Sequence, residues 1–420
     1  MNHIKDLNRN ISENRDRLDH WINNQVKKAF IPLYTSVDLR ISNFKIAPVD
    51  TNIFPAGFNN LSETFRNRAS TLFKDYFDRE YPSIESILIV PELHTRNSFY
   101  WENIAVLKSI VENAGKRVEV GIISDDDLPQ EMEFEAASGK NVKAFRALKK
   151  DNRVTIASLN PDLLLVNNDF SEKCPKTLRD ITQPVEPPVE IGWHTRKKSI
   201  HFEFYNKLAR EVAEIVGIDP WLLSIDTIVD YGADFDNPED RDEVAKAVDK
   251  MLGRLKIEYE ERGVEDEPYL FIKSNSGTYG MAVVNVASGD DVRNLNSEKR
   301  KRMRVSKGGN PVRDVVIQEG IPTAFKYDSD ISAEPVFYLV DSHVAGGFLR
   351  LNKSRNTLEN LNSRGMEFAH IDPCKENTHL EDVDTLCSPA LELVSRIATI
   401  AAGYEIEKIL DEGGCKEEVA

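Results

Sequence analysis

From Ser86 onward an apolar run, SILIVPE, is followed by a helical pattern from Trp101 to Ala114, a second run, VEVGII, and a later third, DLLLVNND. Parallel strands need a long crossover between them, and a helix between apolar runs supplies it, so this rhythm closes as a parallel sheet. It predicts a Rossmann-like domain over residues 84–225. The GxGxxG turn that would seat a dinucleotide is missing, which disfavours a nicotinamide-dependent oxidoreductase. With 420 residues the chain has room for more than one core. The remaining residues divide into an N-terminal segment, 1–83, and a C-terminal region, 226–420.

Ahead of the parallel region, apolar positions Ile11, Leu18, Trp21, Ile22, Val26 and Ala29 recur at helical spacing and predict one amphipathic helix over 11–29. Two strand-like runs, LYTSVDLRI and FKIAPVDTNIF, follow, and then a helix from Ser62 to Phe77. QPVEPPVE, Gln183 to Glu190, must be extended chain. Helices are expected from Ser199 to Val216, from Arg241 to Glu261 and from Ser388 to Leu410.

Charge and cysteine content limit the function. The 54 Lys and Arg stand against 70 Asp and Glu, a net charge of -16, so nucleic acid is not an expected partner. The basic run EKRKRMRVSK reads as a solvated loop or helix face. Cys174, Cys374, Cys387 and Cys415 are too few and too scattered to staple the chain, and no segment has the apolar length of a signal peptide or membrane span. A cytoplasmic enzyme with small-molecule substrates fits these limits; they leave a homo-oligomer open.

The stretch YLFIKSNSGTYGMAVV carries the first candidate site. Alternation places Lys273 near the end of a half-buried strand, before a turn of small residues whose N–H groups can approach an anion. Lys273, Ser274, Ser276 and Gly277 would then cradle phosphate. On these residues alone, a strand ending at an ordinary hairpin turn is the stronger reading. The Walker A pattern is absent.

About 40 residues on, DVVIQEGI is a buried strand ending in an acid and a Gly-Ile-Pro break. Strand, loop, strand and acid-tipped hinge strand together resemble the ATP-grasp superfamily. The resemblance implies ATP, with Gln318, Glu319 and Ile321 at the adenine and ribose, Arg350 of HVAGGFLRLN on the transferring phosphate, and Asn360 and Arg364 as contacts from the following loop. Such ligases normally end in strands whose acids hold Mg2+, yet after the last helix this chain has only EKILDEGGCKEEVA. Near the N-terminus, VDLRISNFK supplies Asp38, and VDTNIF supplies Asp50 and Asn52 two residues apart, so that both aim to one side of a strand. A circularly permuted ATP-grasp domain is therefore expected, with metal ligands Asp38, Asp50 and Asn52. An ordinary strand-to-turn transition at DTN is the alternative.

VDLRISNFKIAPVDTNIFPAGFNNL, LLVNNDFS, QPVEPPVEIGWHTRKKSIHF and KSNSGTYGM together resemble the compact glutamate-cysteine ligases of some proteobacteria, over nearly the whole chain. The resemblance implies ATP-driven joining of the glutamate side-chain carboxylate to cysteine through an acyl phosphate, the first step of glutathione synthesis. Cationic residues are needed for the substrate carboxylates, and Arg96, His194 and Arg196 are the candidates, with Lys197, Lys198 and His201 nearby. Each also has a plainer reading, Arg96 as a helix cap and the RKKS run as a solvated helix start. The reacting thiol belongs to substrate, so no protein cysteine is required. Another ATP-grasp amino-acid or peptide ligase, or a non-catalytic nucleotide-binding protein, stays open as an alternative.

Overall fold

The computed structural model describes residues 2–94, 96–171, 173–276, 282–304, 314–371 and 388–413. Three sheets carry the architecture. The first is antiparallel and joins the two ends of the chain. Its strands run in the order Met366–His370, His343–Asn352, Ile331–Val340, Tyr34–Ile41 and Ile46–Asn52, with Lys326–Tyr327 added on Ile331–Val340. Asp38 pairs with Val336 on one side and with Asp50 on the other.

Strand alternation divides this sheet into two chemically different faces. Thr35 points to the face covered by the helix Pro389–Asp411, where its hydroxyl lies 2.7 Å from that of Thr399. Tyr34 points the other way, against Phe58 and Phe73. Phe73 belongs to the helix Glu63–Glu80, whose buried Phe65, Ala69, Phe73 and Phe77 follow the four-residue repeat. Ser62 caps it by accepting from the Phe65 N–H. Asp38 and Arg40 are on the Tyr34 side, farther along the strand.

The second sheet runs Val185–Glu186, Leu163–Asn167, Ser86–Pro91, Arg117–Ile122 and Asn141–Arg146, all parallel, with Glu131–Glu135 antiparallel at the edge. Ser86–Pro91 and Leu163–Asn167 are buried throughout, as the apolar runs require for a sheet covered on both faces. The third sheet is antiparallel, ordered Thr227–Asp230, Val315–Glu319, Leu270–Ser274 and Val283–Val286. Its core includes Leu270, Ile272 and Ile317, packed on Val244, Val248, Met251 and Leu255 of the helix Pro238–Glu261.

The single helix expected over 11–29 is two, Asn2–Glu13 and Arg15–Val26, broken at Asn14, whose ψ of 16° leaves the helical range. Among the described residues no helix is long and apolar enough to cross a membrane.

Candidate active site

Where the first and third sheets face each other they leave a narrow cleft of about 60 Å³, partly open to solvent. Each sheet contributes side chains by alternation. From the first come Asp38 and Arg40, Asp50, Glu334 and Arg350; from the third, Phe271 and Lys273; the start of the helix Lys198–Val216 adds Lys198, and the loop after Asn352 adds Asn360 and Asn362.

The charged groups form a chain of contacts. Arg350 Nη1 donates to Asp38 (2.6 Å) and to Glu334 (2.7 Å), and Nη2 reaches the other Asp38 oxygen at 3.3 Å. Arg40 Nε donates to Glu334 at 2.6 Å. Lys198 Nζ lies 2.6 Å from Asp50, and Lys273 Nζ donates to the Gln318 side-chain oxygen (2.7 Å) and the Val49 carbonyl (3.1 Å). Four cations thus meet three carboxylates in one cleft.

Burial acts on each in a direction its neighbours either oppose or reinforce. It pushes the Lys273 ammonium down to about 8, with Asp50 opposing the fall. Burial favours neutral Asp38, whose carboxyl is raised although Arg350 pulls against it. Glu334 and Asp50 would also rise on burial, but Arg40 and Arg350 hold the first below the usual carboxylate range, and Lys198 and Lys273 the second.

The Asp50 strand is fixed from behind. Arg196 is 1 % exposed, forks onto Glu405 of the helix Pro389–Asp411 (3.0 and 2.7 Å) and donates to the Thr51 carbonyl at 3.2 Å. Its guanidinium and the Lys198 ammonium both sit over Trp193, each 4.4 Å from the ring centre. Arg196 therefore has its donors committed inside the protein and is a strut for the Asp50 strand. His201, beside Glu405 at 3.5 Å, is held below its ordinary value by burial.

The other expected site residues are distributed as follows. Ser274 lines the cleft, and its hydroxyl donates to the Ser276 carbonyl. Gly277 lies outside the described residues. Asn52 points to the same side of its strand as Asp50, opposite Ser36, but does not line the cleft. Gln318 shares the Lys273 face. Glu319, one residue on, points to the opposite face and is buried on Lys45 (2.9 and 2.8 Å), while Ile321 is in the main core. Neither is open to a ribose or base. Asn360 lines the cleft; Arg364 is exposed outside it. Arg96 is exposed beyond the Ser86–Pro91 strand, and His194 is half-buried with its ring Nδ1 2.8 Å from the Phe170 carbonyl; neither lines the cleft.

Arg40 and Glu334 were not singled out from sequence. Arg40 follows Asp38 by two residues and so had to share its face, and Glu334 is an acid inside the apolar run ISAEPVFYLV, where an unpaired charge would be prohibitive.

Among the described residues no group of three or more His, Cys, Asp or Glu side chains is placed to hold a metal by itself. Asp38 and Asp50, cross-strand partners with hard oxygen donors, still fit Mg2+, which usually takes one or two carboxylates and completes its shell with phosphate and water. Cys174 is buried in a hydrophobic cluster beneath the parallel sheet, and Cys374, Cys387 and Cys415 lie outside the described residues. Cys174→Ser should leave turnover within about twofold and cost only packing stability; loss of turnover in a folded variant would tie this thiol to the chemistry.

The profile of the glutamate-cysteine ligase family matches residues 8–406. A crystal structure from Methylobacillus flagellatus KT, assigned as a gamma-glutamylcysteine synthetase, is similar at 35% identity and a TM-score of 0.86, covering 96% of each chain. D-alanyl-alanine synthetase A from Vibrio cholerae O1 biovar eltor matches at 8% identity over 75% of this chain and 81% of that one, with a TM-score of 0.33, too distant to carry any argument. No curated protein matches.

Proposed function

The chain belongs to the glutamate-cysteine ligase family, and we propose that the Asp38–Lys273 cleft is where its ligation takes place. As a ligase of that family it joins glutamate to cysteine, and the family implies ATP. The observation that carries the assignment of the cleft is its charge: Arg40, Lys198, Lys273 and Arg350 face Asp38, Asp50 and Glu334 with little room between.

Four cations against three acids leave one net positive charge, too little to neutralise a triphosphate together with the carboxylates of glutamate. A divalent ion would narrow that gap, and Asp38 and Asp50 would be its protein ligands. When bound, Mg2+ would supply charge neutralisation on the transferring phosphoryl group. Lys273 and Lys198 bind phosphate oxygens, and Arg350 orients Asp38 while offering its guanidinium to the phosphoryl group. The glutamate side-chain carboxylate attacks the terminal phosphorus of ATP, the bond to ADP breaks, and the cysteine amine displaces phosphate from the acyl phosphate. The chain's task is to align and neutralise rather than to form a covalent bond.

An ATP-grasp domain permuted so that its metal strands come first in sequence is supported by the pairing of Tyr34–Ile41 with Ile331–Val340 and by the packing of the helix Pro389–Asp411 behind them. Cytoplasmic residence follows from the substrates such a ligase consumes.

The test is a coupled ADP assay with glutamate and cysteine. ADP release that needs both amino acids supports the reading. Release with another acceptor only would favour a different ligase, and ATP binding without turnover would favour a non-catalytic protein.

Lys273 adds a pH dependence. With the ammonium at about 8 in the free protein, it is charged below that pH and neutral above it. Nucleotide affinity should hold from pH 6.5 to 7.5 and weaken as pH rises through 8, by up to about tenfold per unit. Titrating ATP binding by calorimetry across that range checks this; a flat profile rules out a phosphate role for Lys273.

A further inference from the structure

The loop after the strand His343–Asn352, residues 353–365, has no helix or strand of its own and walls the cleft through Asn360 and Asn362. A loop of that length loses much conformational freedom when ordered, so something must hold it. Part of the hold is internal: Arg355 pairs with Glu359 at 2.9 Å, and Glu359 also accepts the Asn356 N–H at 2.9 Å. The rest comes from neighbours outside the loop. The Thr357 carbonyl accepts from the Thr323 N–H (3.0 Å) and from Arg40 Nη1 (3.1 Å). The Glu359 carbonyl accepts from Arg40 Nη2 (2.7 Å), and the Leu361 carbonyl from Asn352 Nδ2 (3.3 Å). Every second carbonyl is thus tied down, and the two asparagines that follow the last two of them face the cleft.

Arg40 is the centre of this hold. Its Nε donates to Glu334 at 2.6 Å, so each of its nitrogens has an acceptor within the protein, and its side chain is 4 % exposed. Glu334 also accepts from Arg350, so one carboxylate sets both the anchor of the loop and the arginine that reaches Asp38. A guanidinium can span three separate acceptors; an ammonium keeps the charge but brings a single nitrogen. The Asn362 N–H donates to Asn360 Oδ1 at 3.0 Å, which ties the two asparagines together. A side-chain amide is neutral and both donates and accepts, which suits the ammonium and carboxylate of an amino acid better than it suits phosphate.

We propose that Arg40 is a positioning residue for the ligation: it holds this loop in place and so aims the Asn360 and Asn362 amides at the amino-acid substrates. The inference rests on the reading of the cleft as the ligation site. It gives Arg40 a duty apart from that of Lys198, Lys273 and Arg350, whose charges meet phosphate. With Arg40 in place the wall is built before substrate arrives, and binding does not have to order it. With a lysine there the loop samples arrangements in which the amides miss, so affinity for amino acids falls. Nucleotide affinity depends on the charge of the cleft, which the lysine preserves.

The experiment compares the full chain, Arg40→Lys, the pair Asn360→Ala with Asn362→Ala, and all three changes together. Amide hydrogen exchange is read on the free proteins, KM for glutamate and for cysteine in the ADP assay, and binding of ATP with Mg2+ by calorimetry. Arg40→Lys should speed exchange about tenfold in residues 357–362 and leave the strand Ile331–Val340 as protected as before. It should raise KM for at least one amino acid about tenfold and keep ATP affinity within about twofold. The asparagine pair should raise the same KM, and adding Arg40→Lys to it should cost little more, because the arginine acts through those amides. Unchanged exchange in the loop, exchange raised equally in Ile331–Val340, ATP affinity lost along with amino-acid affinity, or losses that multiply in the combined variant each overturn the proposal. So does an asparagine pair that leaves both KM values unchanged. No turnover of glutamate and cysteine by the unaltered protein would instead overturn the reading of the cleft, with exchange still deciding whether Arg40 holds the loop.

Discussion

Asp50→Asn should lower ligase kcat by about 10³-fold while leaving the fold intact, an effect of the size seen when one charge-stabilising group is removed from a transition state. Asparagine keeps the shape and one oxygen donor. It removes the negative charge that now holds Lys198 at 2.6 Å and that is meant for the metal. Asp50 is a quarter exposed and lies in an edge strand, so the amide finds water and the strand pairing to Asp38 survives. If the loss arises at the metal, raising Mg2+ should recover part of the activity, and the Mg2+ dependence should shift to higher concentration. Unchanged kcat in a folded Asp50→Asn protein would remove Asp50 from the phosphoryl-transfer step.

Glu405→Leu should destabilise the protein by about 3–5 kcal/mol, because it leaves Arg196 as a buried cation without its counter-ion. Both side chains are at most 2 % exposed. Burial would raise the Glu405 carboxyl, yet Arg196 and His201 bring it down to about 2. The sign follows from that depression. The stabilisation is fully present above about 4.5, the ordinary glutamate value, and is lost as pH falls toward 2. The wild-type apparent melting temperature should therefore decline through that acid window more steeply than that of Glu405→Leu, and the variant should melt lower at pH 7. Equal melting curves at pH 7 would show that the pair contributes nothing net. Since Arg196 also holds the Thr51 carbonyl, ligase activity should fall together with stability.

What the sequence disclosed about this site depended on whether the decisive neighbour was local. Asp38 and Asp50 stood out through the resemblance to ATP-grasp ligases, and period-two alternation, which is read within a few residues, then fixed the faces of Asp50 and Lys273. Arg40 was open to the same argument. Glu405 was not: its partner is Arg196, and nothing local marks an acid in the helix Pro389–Asp411 as the counter-ion of a loop arginine. Glu319 illustrates the opposite error. Its place at the end of a hinge strand suggested a ribose contact, but one residue decides the face, and Gln318 has the face toward Lys273. The parallel sheet was legible from its continuous apolar strands. The break at Asn14 was not, since apolar spacing continues across it in two separate helices.

The sheet that unites the chain's two ends also sets an order of assembly during synthesis. The hairpin carrying Asp38 and Asp50 leaves the ribosome early, but its pairing partner, Ile331–Val340, follows about 300 residues later. At about 5–20 residues per second that is a wait of roughly 15–60 s. Throughout it the Tyr34–Ile41 edge, which ends up buried, has nothing to pair with and is open to wrong strands. The parallel sheet, complete by Glu186, can fold within that interval, so the Asp38–Lys273 cleft forms well after it and is exposed to interrupted translation.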